Sequence, residues 1–418
     1  MVMFTRLSKS KQKPTRLFMD INKLIGSTLI IIGTMIGAGM LALPIISAEA
    51  GFTVAATMLV AMWAIMTITG LLTLEVNLAF EEYANSLGTM AFKTLGVWGK
   101  FVSWLCTLLL LYALTAAYIS GNASLLANVA ELALHIKTPN WLNALVFLVV
   151  MGGIVFWSTK SVDYCNRFFL SFKGILLIAT FVLLFPQIDF VNMLRESHGN
   201  KYLLPMIPIF LCSFGFHPTI PSLSNYVGRK PRELKFAIVC GSSTALIIYL
   251  FWLFITIGIV PLVGEHSFTS VGQSVGELIK SIYVIANNKW VTMGINGFAN
   301  IAMTTSFLGV ALGLFDFLAD GFKRSNTRSG RFQTALLTFT PPLIFALFYP
   351  NGFILALKYA AFFATTLVVI LPALMAYKLR KDTKLSSPYR VFGGKCLLIF
   401  IMLIGVFLLF IEILALFV

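Results

Sequence analysis

Gly33-Thr34-Met35-Ile36-Gly37-Ala38-Gly39, with Pro44 five residues on, interrupts an apolar run that reaches from Leu24 to Ala48. Three glycines in seven residues remove the side chains that shield a helical backbone and lower the cost of unwinding it. A second interruption, Ser213-Phe214-Gly215-Phe216-His217-Pro218 followed by Pro221, falls in another long apolar run. These are the two apolar stretches least suited to a continuous helix, so their placement relative to each other decides the architecture.

The rest of the chain is just as apolar. Of 418 residues, 58% are hydrophobic, 14% aromatic and only 11% charged, against about 25% charged in an ordinary soluble protein. So few charges cannot cover a globule. The apolar excess must face lipid, which makes this a polytopic membrane protein. Its apolar runs are continuous and about 20 residues long, as spanning helices require. A barrel would instead show alternating segments of about ten residues. The expected class is therefore all-α, with eleven transmembrane helices near 24–48, 52–80, 99–130, 142–159, 167–186, 203–225, 236–262, 292–318, 332–349, 352–377 and 396–417.

A formal net charge of +15 would suit a nucleic-acid binder, but the basic residues crowd into short polar segments between apolar runs. No basic stretch is interleaved with aromatics as a base-stacking surface needs. With the N-terminus placed in the cytoplasm, 25 of the 31 Lys and Arg lie on that side. Only Lys137, Arg195, Lys201, Lys280, Lys289 and Lys358 lie outside, a distribution that fixes the expected orientation. An odd helix number then leaves the C-terminus in the periplasm. The basic start, from Arg6 to Arg16, resembles the head of a signal peptide. The run behind it is too long for that and lacks a small-residue cleavage site, so it reads as a first span. Cys106, Cys165, Cys212, Cys240 and Cys396 are scattered without a CxxC pair. Neither a disulfide framework nor a zinc site is encoded, and no metal or cofactor is expected.

Eleven divides as five plus five plus one. Residues 1–22 form a basic cytoplasmic extension, 23–187 a first five-helix repeat, 203–377 a second and 394–418 an extra helix. Because five is odd, the second repeat enters the membrane inverted. The two interruptions then fall in equivalent first helices, as in secondary transporters that bind substrate between paired broken helices. A half-helix N-terminus offers unpaired N–H groups and partial positive charge, which suits a carboxylate. Gly37, Ala38, Gly39 and Met40 are the candidate donors, with Thr34 beside them. At Ser213–Gly215, carbonyls can accept from an ammonium group. A zwitterionic amino acid can thus be held by backbone alone. The competing reading of Gly33-xxx-Gly37 is a small-residue packing contact between helices; the matched interruption in helix 6 argues for a site.

Intramembrane ionisable groups are candidates for ion coupling because each is costly to keep there. They are Glu75, Asp316 and Glu412, with His217 inside the second interruption. His217 titrates near neutrality in water and is the leading proton candidate, though it can equally satisfy backbone groups freed by the break. Glu75 lies close to Glu81 and Glu82 at the inner edge, where a structural pairing competes with coupling. Asp316 and Asp320 stand one turn apart and within reach of Lys323 or Arg324. Glu412, five residues from the outer end of its helix, is expected to snorkel. In helix 8, Thr304-Thr305-Ser306 offers hydroxyls that either back-bond to the preceding turn or share a small cation with helix 1 carbonyls. Tyr112, Tyr118, Phe214, Phe216 and Phe307 can line an apolar pocket, or fill gaps and face lipid.

Gly33-Thr-Met-Ile-Gly-Ala-Gly-Met-Leu-Ala-Leu-Pro44 resembles the helix 1 signature of the hydroxy and aromatic amino acid permeases, a branch of the amino acid–polyamine–organocation superfamily. Tyr112 to Gly121, Ser213 to His217, Thr305 to Asp320 and Pro341 to Pro350 extend the similarity, which runs from about residue 24 to 417. The resemblance implies the leucine-transporter fold, a LeuT-type 5+5 inverted repeat plus one extra helix, in which helices 1 and 6 unwind around the substrate. It also implies proton symport of an aromatic amino acid across the bacterial inner membrane by alternating access, with tyrosine the first expectation. Some members of that wider fold hold sodium between helix 1 carbonyls and helix 8 hydroxyls. Gly33, Ile36, Ala302, Thr305 and Ser306 stand at matching places, which leaves sodium coupling and a broader neutral or aromatic specificity as alternatives. An intramembrane enzyme would need clustered catalytic groups, and a channel a polar-lined pore; neither pattern is in the sequence.

Overall fold

The computed structural model describes residues 21–80, 86–193, 203–324, 327–383 and 385–415. Most of the basic extension at 1–22, the pair Glu81 and Glu82, and the outer Arg195 and Lys201 lie outside the described residues.

Within them the chain is helical, without strands. The first apolar run forms α1 (Ile21–Met35) and α2 (Ala38–Ser47), which ends in a short 3-10 turn. A bend of 48° separates the two. After Gly51, α3 (Phe52–Leu78) crosses back. The next element, α4 (Leu87–Leu134), is broken at Gly96, whose φ of +74° suits a residue without a Cβ. Then come α5 (Asn140–Phe147) and α6 (Gly153–Trp157), joined by a π turn, followed by α7 (Thr159–Leu184) and the short α8 (Phe190–Met193).

The second interruption separates α9 (Leu203–Ser213) from α10 (Ile220–Val227). Pro218 and Pro221 fall in the first turns of the helical pieces after it, where a missing N–H costs nothing. Next are α11 (Pro231–Ile259), the outer helices α12 (Phe268–Val271) and α13 (Val275–Ala286), and α14 (Lys289–Gly321). The chain ends with α15 (Arg328–Phe348), α16 (Phe353–Ala364) joined by a π turn to α17 (Leu371–Lys381), and α18 (Gly394–Ala415).

Among the described residues, nine helical spans are long and apolar enough to cross a membrane, with α5 and α6, α9 and α10, and α16 and α17 each counting as one, or ten when α1 and α2 count as one bent span. The expected ninth span corresponds to α15, which has 21 residues. It is not among the apolar spans, since Arg328, Arg331, Gln333 and three threonines dilute its hydropathy. The chain is a polytopic helical membrane protein.

Packing sorts the helices into two groups. In one, α1 and α3 lie along α11, with α10 against both α1 and α3. In the other, α14 lies along α7 and α4, and α4 also takes α5, α15 and α16. The contacts of α9 with α2 and with α16 bridge the two. Outward faces of α7 and α18 carry large exposed hydrophobics, such as Ile175, Ile178, Leu403 and Phe407, as lipid contact demands.

Glu412 corrects a sequence expectation. Rather than snorkelling, it is 1% exposed and accepts a 2.6 Å hydrogen bond from Thr365 in the π turn between α16 and α17. Gly405, Leu408, Ile411, Glu412 and Ala415 form the buried stripe of α18 at spacings of three and four. Helical periodicity therefore carries Glu412 inward against its neighbour.

Candidate functional site

Gly37 caps α2 with a φ of −166°, extended backbone that any residue can adopt. Its need for glycine is spatial. A Cβ there would collide with the Ser306 hydroxyl of α14. Tyr118 of α4 lies beside Ser306, so Gly37, Ser306 and Tyr118 converge at the α1–α2 break. No side chain caps the N-terminus of α2. The N–H groups of Ala38, Gly39 and Met40 head the first turn of that helix, where an unpaired donor favours an anion.

On the other side, Gly39 packs on the α9 terminus. Its Cβ would lie 2.6 Å from Ser213 Oγ and 2.8 Å from Ser213 Cα, and backbone cannot rotate away. Ser213 back-bonds through its hydroxyl to Ile209. Phe214 and Gly215 donate to the carbonyls of Leu211 and Cys212, the last turns before the break. Gly215 itself is exposed, whereas Phe214 and Phe216 are fully buried.

Tyr249 of α11 joins the two interruptions, and sequence reasoning passed over it. Its hydroxyl lies 2.6 Å from the Met35 carbonyl and 2.7 Å from the Ser213 carbonyl. One proton serves these two acceptors in turn, and the ring lies against Phe214 at 5.2 Å. Among 12 tyrosines and 38 phenylalanines, nothing in its local sequence sets Tyr249 apart. Tyr249→Phe is expected to lower stability by about 1–3 kcal/mol, because buried carbonyls lose their donor. The check is the unfolding midpoint in detergent; an unchanged midpoint would show that this bridge contributes nothing.

Lys173 was also missed, because it reads as part of the basic flank of its helix. In the structure it is 5% exposed. Its ammonium donates to the Ile36 carbonyl and lies 3.5 Å from that of Gly33. No ion pair involves it among the described residues. The signal was periodicity: Val162, Lys173, Leu177, Thr180 and Leu184 are the buried positions along α7, spaced as one face of a helix. Beside α7, Gly294 of α14 faces Thr180 and Leu183, and Gly297 faces Leu176. The two helices therefore run antiparallel. Continuing that register brings Ala302 to the level of Lys173, with Thr305 about one turn farther along α14. Thr305 back-bonds to Ala302 at 3.1 Å, while Thr304 reaches Asn122 of α4.

Other candidates lie elsewhere. Tyr112 donates to the Leu337 carbonyl on α15, and Phe307 packs on Phe147 and Phe339. Phe216 stacks on His217 and faces Gly70 of α3. His217 is fully buried, with Nε2 2.9 Å from the Thr69 hydroxyl and no partner at Nδ1 among the described residues. Thr34 is exposed and back-bonds to Ile30. Asp316 is exposed near the end of α14.

Glu75 is committed to Arg380. Two 2.7 Å bonds from the guanidinium reach its carboxylate, which also accepts from the Val391 amide at 2.8 Å. Arg229 caps the same end of α3 by donating to the carbonyls of Asn77, Leu78 and Phe80. At the opposite end, Asn128 donates to the Gly276 carbonyl, and Ser124 accepts from the Gly276 amide. Lys280 pairs with Glu131 at 2.9 Å, and that bond holds its ammonium above the ordinary lysine range. Among the described residues, no group of three His, Cys, Asp or Glu could hold a metal.

Comparison with known proteins bears on these breaks. The tryptophan/tyrosine permease family matches residues 20–412. The chain is 37% identical to the "Tyrosine-specific transport system 1" of Haemophilus influenzae, over 92% of this chain and 95% of the relative. It is 35% identical to the "Tryptophan-specific transport protein" of Pseudomonas aeruginosa, over 92% of each. The "Low affinity tryptophan permease" of Escherichia coli is 34% identical, over 90% of this chain and 92% of the relative. All are named as transport systems, transport proteins or permeases, and none as an enzyme. Two broken apolar helices that meet at glycines, in a chain matched almost from end to end, place it plainly: the chain belongs to the tryptophan/tyrosine permease family.

Proposed function

We propose that the chain imports an aromatic amino acid, tyrosine first, across the bacterial inner membrane in symport with a proton. The relatives named for tyrosine and for tryptophan support the substrate class; those named for tryptophan keep a broader aromatic specificity as the second reading. The carboxylate binds the N-terminal turn of α2 at Gly37, Ala38, Gly39 and Met40. The ammonium binds the carbonyl end of α9 around Ser213 to Gly215, with Tyr118 and Phe214 nearby.

Lys173 carries the choice of ion. Its ammonium occupies the helix 1 carbonyls of Gly33 and Ile36, within about one turn of the α14 residues that a sodium ion would share with them. A fixed cation there supports proton over sodium coupling. A buried ammonium held by neutral carbonyls ties α1 to α7. When the proton leaves, that tie becomes a weak one between neutral groups, and α1 is released. His217, bonded to Thr69 within the other helix group, is the alternative carrier.

Alternating access then follows as movement of the α1, α3, α10 and α11 group against the α4, α7 and α14 group. This reading treats residues 23–187 and 203–377 as inverted repeats, with a cytoplasmic N-terminus and a periplasmic C-terminus.

The test is uptake of labelled tyrosine into proteoliposomes under a proton gradient alone or a sodium gradient alone, with phenylalanine and tryptophan as competitors. Stimulation by the inward proton gradient is expected; its absence defeats the symport assignment. Lys173→Ala is expected to cut proton-driven accumulation about tenfold or more, since a hydrogen bond to a charged group is worth about 1.5–3 kcal/mol. Counterflow exchange should survive. Unaltered proton dependence in that variant transfers the role to His217.

A further inference from the structure

We propose that Glu412 is a proton-binding residue, neutral in this structure, whose proton keeps α18 fastened to the π turn between α16 and α17 and so positions the helices around that turn. That Glu412 binds a proton does not depend on what the protein carries. That the proton acts on transport rests on the carrier reading above.

Glu412 lies in an apolar span and is 1% exposed. A carboxylate at such a place needs a cation or several donors, and without them it takes up a proton instead. Glu75, equally buried, has both, in Arg380 and the Val391 amide. Glu412 has neither. Its Oε1 accepts from the Thr365 hydroxyl, its Oε2 has no partner among the described residues, and no ion pair among them includes it. A neutral acid fits this arrangement, with the proton on Oε2 and Oε1 left as the carbonyl that Thr365 bonds.

Titratable groups on the elements packed against α18 do not supply the missing charge. Cys212 of α9 lies near Glu412 but is a thiol. Lys358 of α16 donates to the Ala415 carbonyl at 2.9 Å, and Tyr359 is exposed. Tyr377, Lys378, Arg380 and Lys381 of α17 stand by the opposite end of α18, where Arg380 donates to the Gly394 carbonyl. Lys395 is at that end too, about 25 Å along the helix from Glu412.

The partner of Glu412 is as telling as its burial. Thr115, Thr256 and Thr338 return their hydroxyls to the carbonyl four residues back, whereas Thr365 donates across to α18. It opens a π turn, Thr365–Ile370, a widened turn of a kind frequent at functional sites. That turn packs on α3 from one helix group and on α4 from the other, and Thr366 lies beside Cys106 of α4. α18 also packs on α9, near Cys212, the residue before Ser213. Losing the proton would leave a buried anion with a single donor, relieved only by admitting water or by parting α18 from the turn. Glu412 is thus a positioning residue at the junction of the two groups.

Infrared spectroscopy of the purified full chain in detergent, titrated with pH, reads the proton. Near neutral pH the unaltered protein should show a carboxylic-acid C=O stretching band that Glu412→Gln lacks and that disappears as pH rises. Glutamine is neutral, has nearly the same shape and can still accept from Thr365. The variant's unfolding midpoint should therefore stay level where that of the unaltered protein falls with rising pH, since only the folded state holds the proton there. Thr365→Val, which leaves the carboxyl in place, should keep the band and shift it to higher frequency, because the C=O loses its hydrogen bond. It decides the proton by itself should Glu412→Gln not fold. Counterflow exchange of labelled tyrosine, at equal pH on both sides of the membrane, reads the effect on transport: Glu412→Gln should sustain exchange to a higher pH than the unaltered protein. Identical carboxylic-acid bands in the unaltered protein and Glu412→Gln overturn the proton-binding assignment, as does an unshifted band in Thr365→Val. A lost band with identical pH profiles of exchange overturns the positioning role. Absent counterflow in the unaltered protein defeats the carrier reading instead, and the infrared band then decides the proton alone.

Discussion

Gly37→Leu is expected to abolish tyrosine uptake while leaving the protein in the membrane. A Cβ at this position already collides with the Ser306 hydroxyl, and a leucine adds three carbons in a packed interior, where overpacking costs about 1–3 kcal/mol. That is too little to prevent insertion of so apolar a chain. It is enough to push α2 away from α14 and to block the uncapped N–H groups where a carboxylate would bind. Gly39→Ala should have the same effect for a stricter reason, because its obstacle is the Ser213 backbone. Gly33→Ala supplies the control: nothing lies within 4 Å of a Cβ there, so uptake should stay near normal. Labelled uptake, normalised to membrane-inserted protein by immunoblot, checks all three. Near-normal uptake by Gly37→Leu would sink the carboxylate site.

The second large effect concerns stability. Arg380→Met leaves the Glu75 carboxylate without its cation, although both side chains are at most 5% exposed. Removing one partner of a buried pair costs about 3–5 kcal/mol, so the unfolding midpoint in detergent should fall sharply. The double variant Glu75→Met with Arg380→Met should recover much of the loss, because an apolar pair of similar volume needs no counter-charge. Recovery will be incomplete: the Val391 amide donates to Glu75, and Arg380 donates to the Val391 and Gly394 carbonyls. An unchanged midpoint in Arg380→Met would show that the pair does not fasten α3 to the α17–α18 loop.

Glu75 also illustrates what local reading cannot supply. Its burial was foreseeable from its place in an apolar run, but its partner lies 305 residues away. The nearby Glu81 and Glu82 offered only repulsion. Asp316 was expected near Lys323 and Arg324 on grounds of spacing, yet it is exposed, and no ion pair to either is seen among the described residues. Tyr112 and Tyr118 share one helix six residues apart, which turns them toward different neighbours. One meets α15 and the other Ser306.

The broken helices were legible because glycine and proline act through the backbone itself, and a backbone effect needs no neighbour to be read. The same holds for the membrane class, since lipid exposure follows from composition and run length. Both breaks appear where the glycines and prolines stand. Which break groups meet was decided only in three dimensions. Lys173 on the Ile36 carbonyl, Tyr249 between Met35 and Ser213, and Glu412 beneath Thr365 each join residues far apart in the chain. A side chain's partner depends on which helix faces it and at what height. Helix packing sets both, and apolar spans that all look alike in sequence carry almost no record of it.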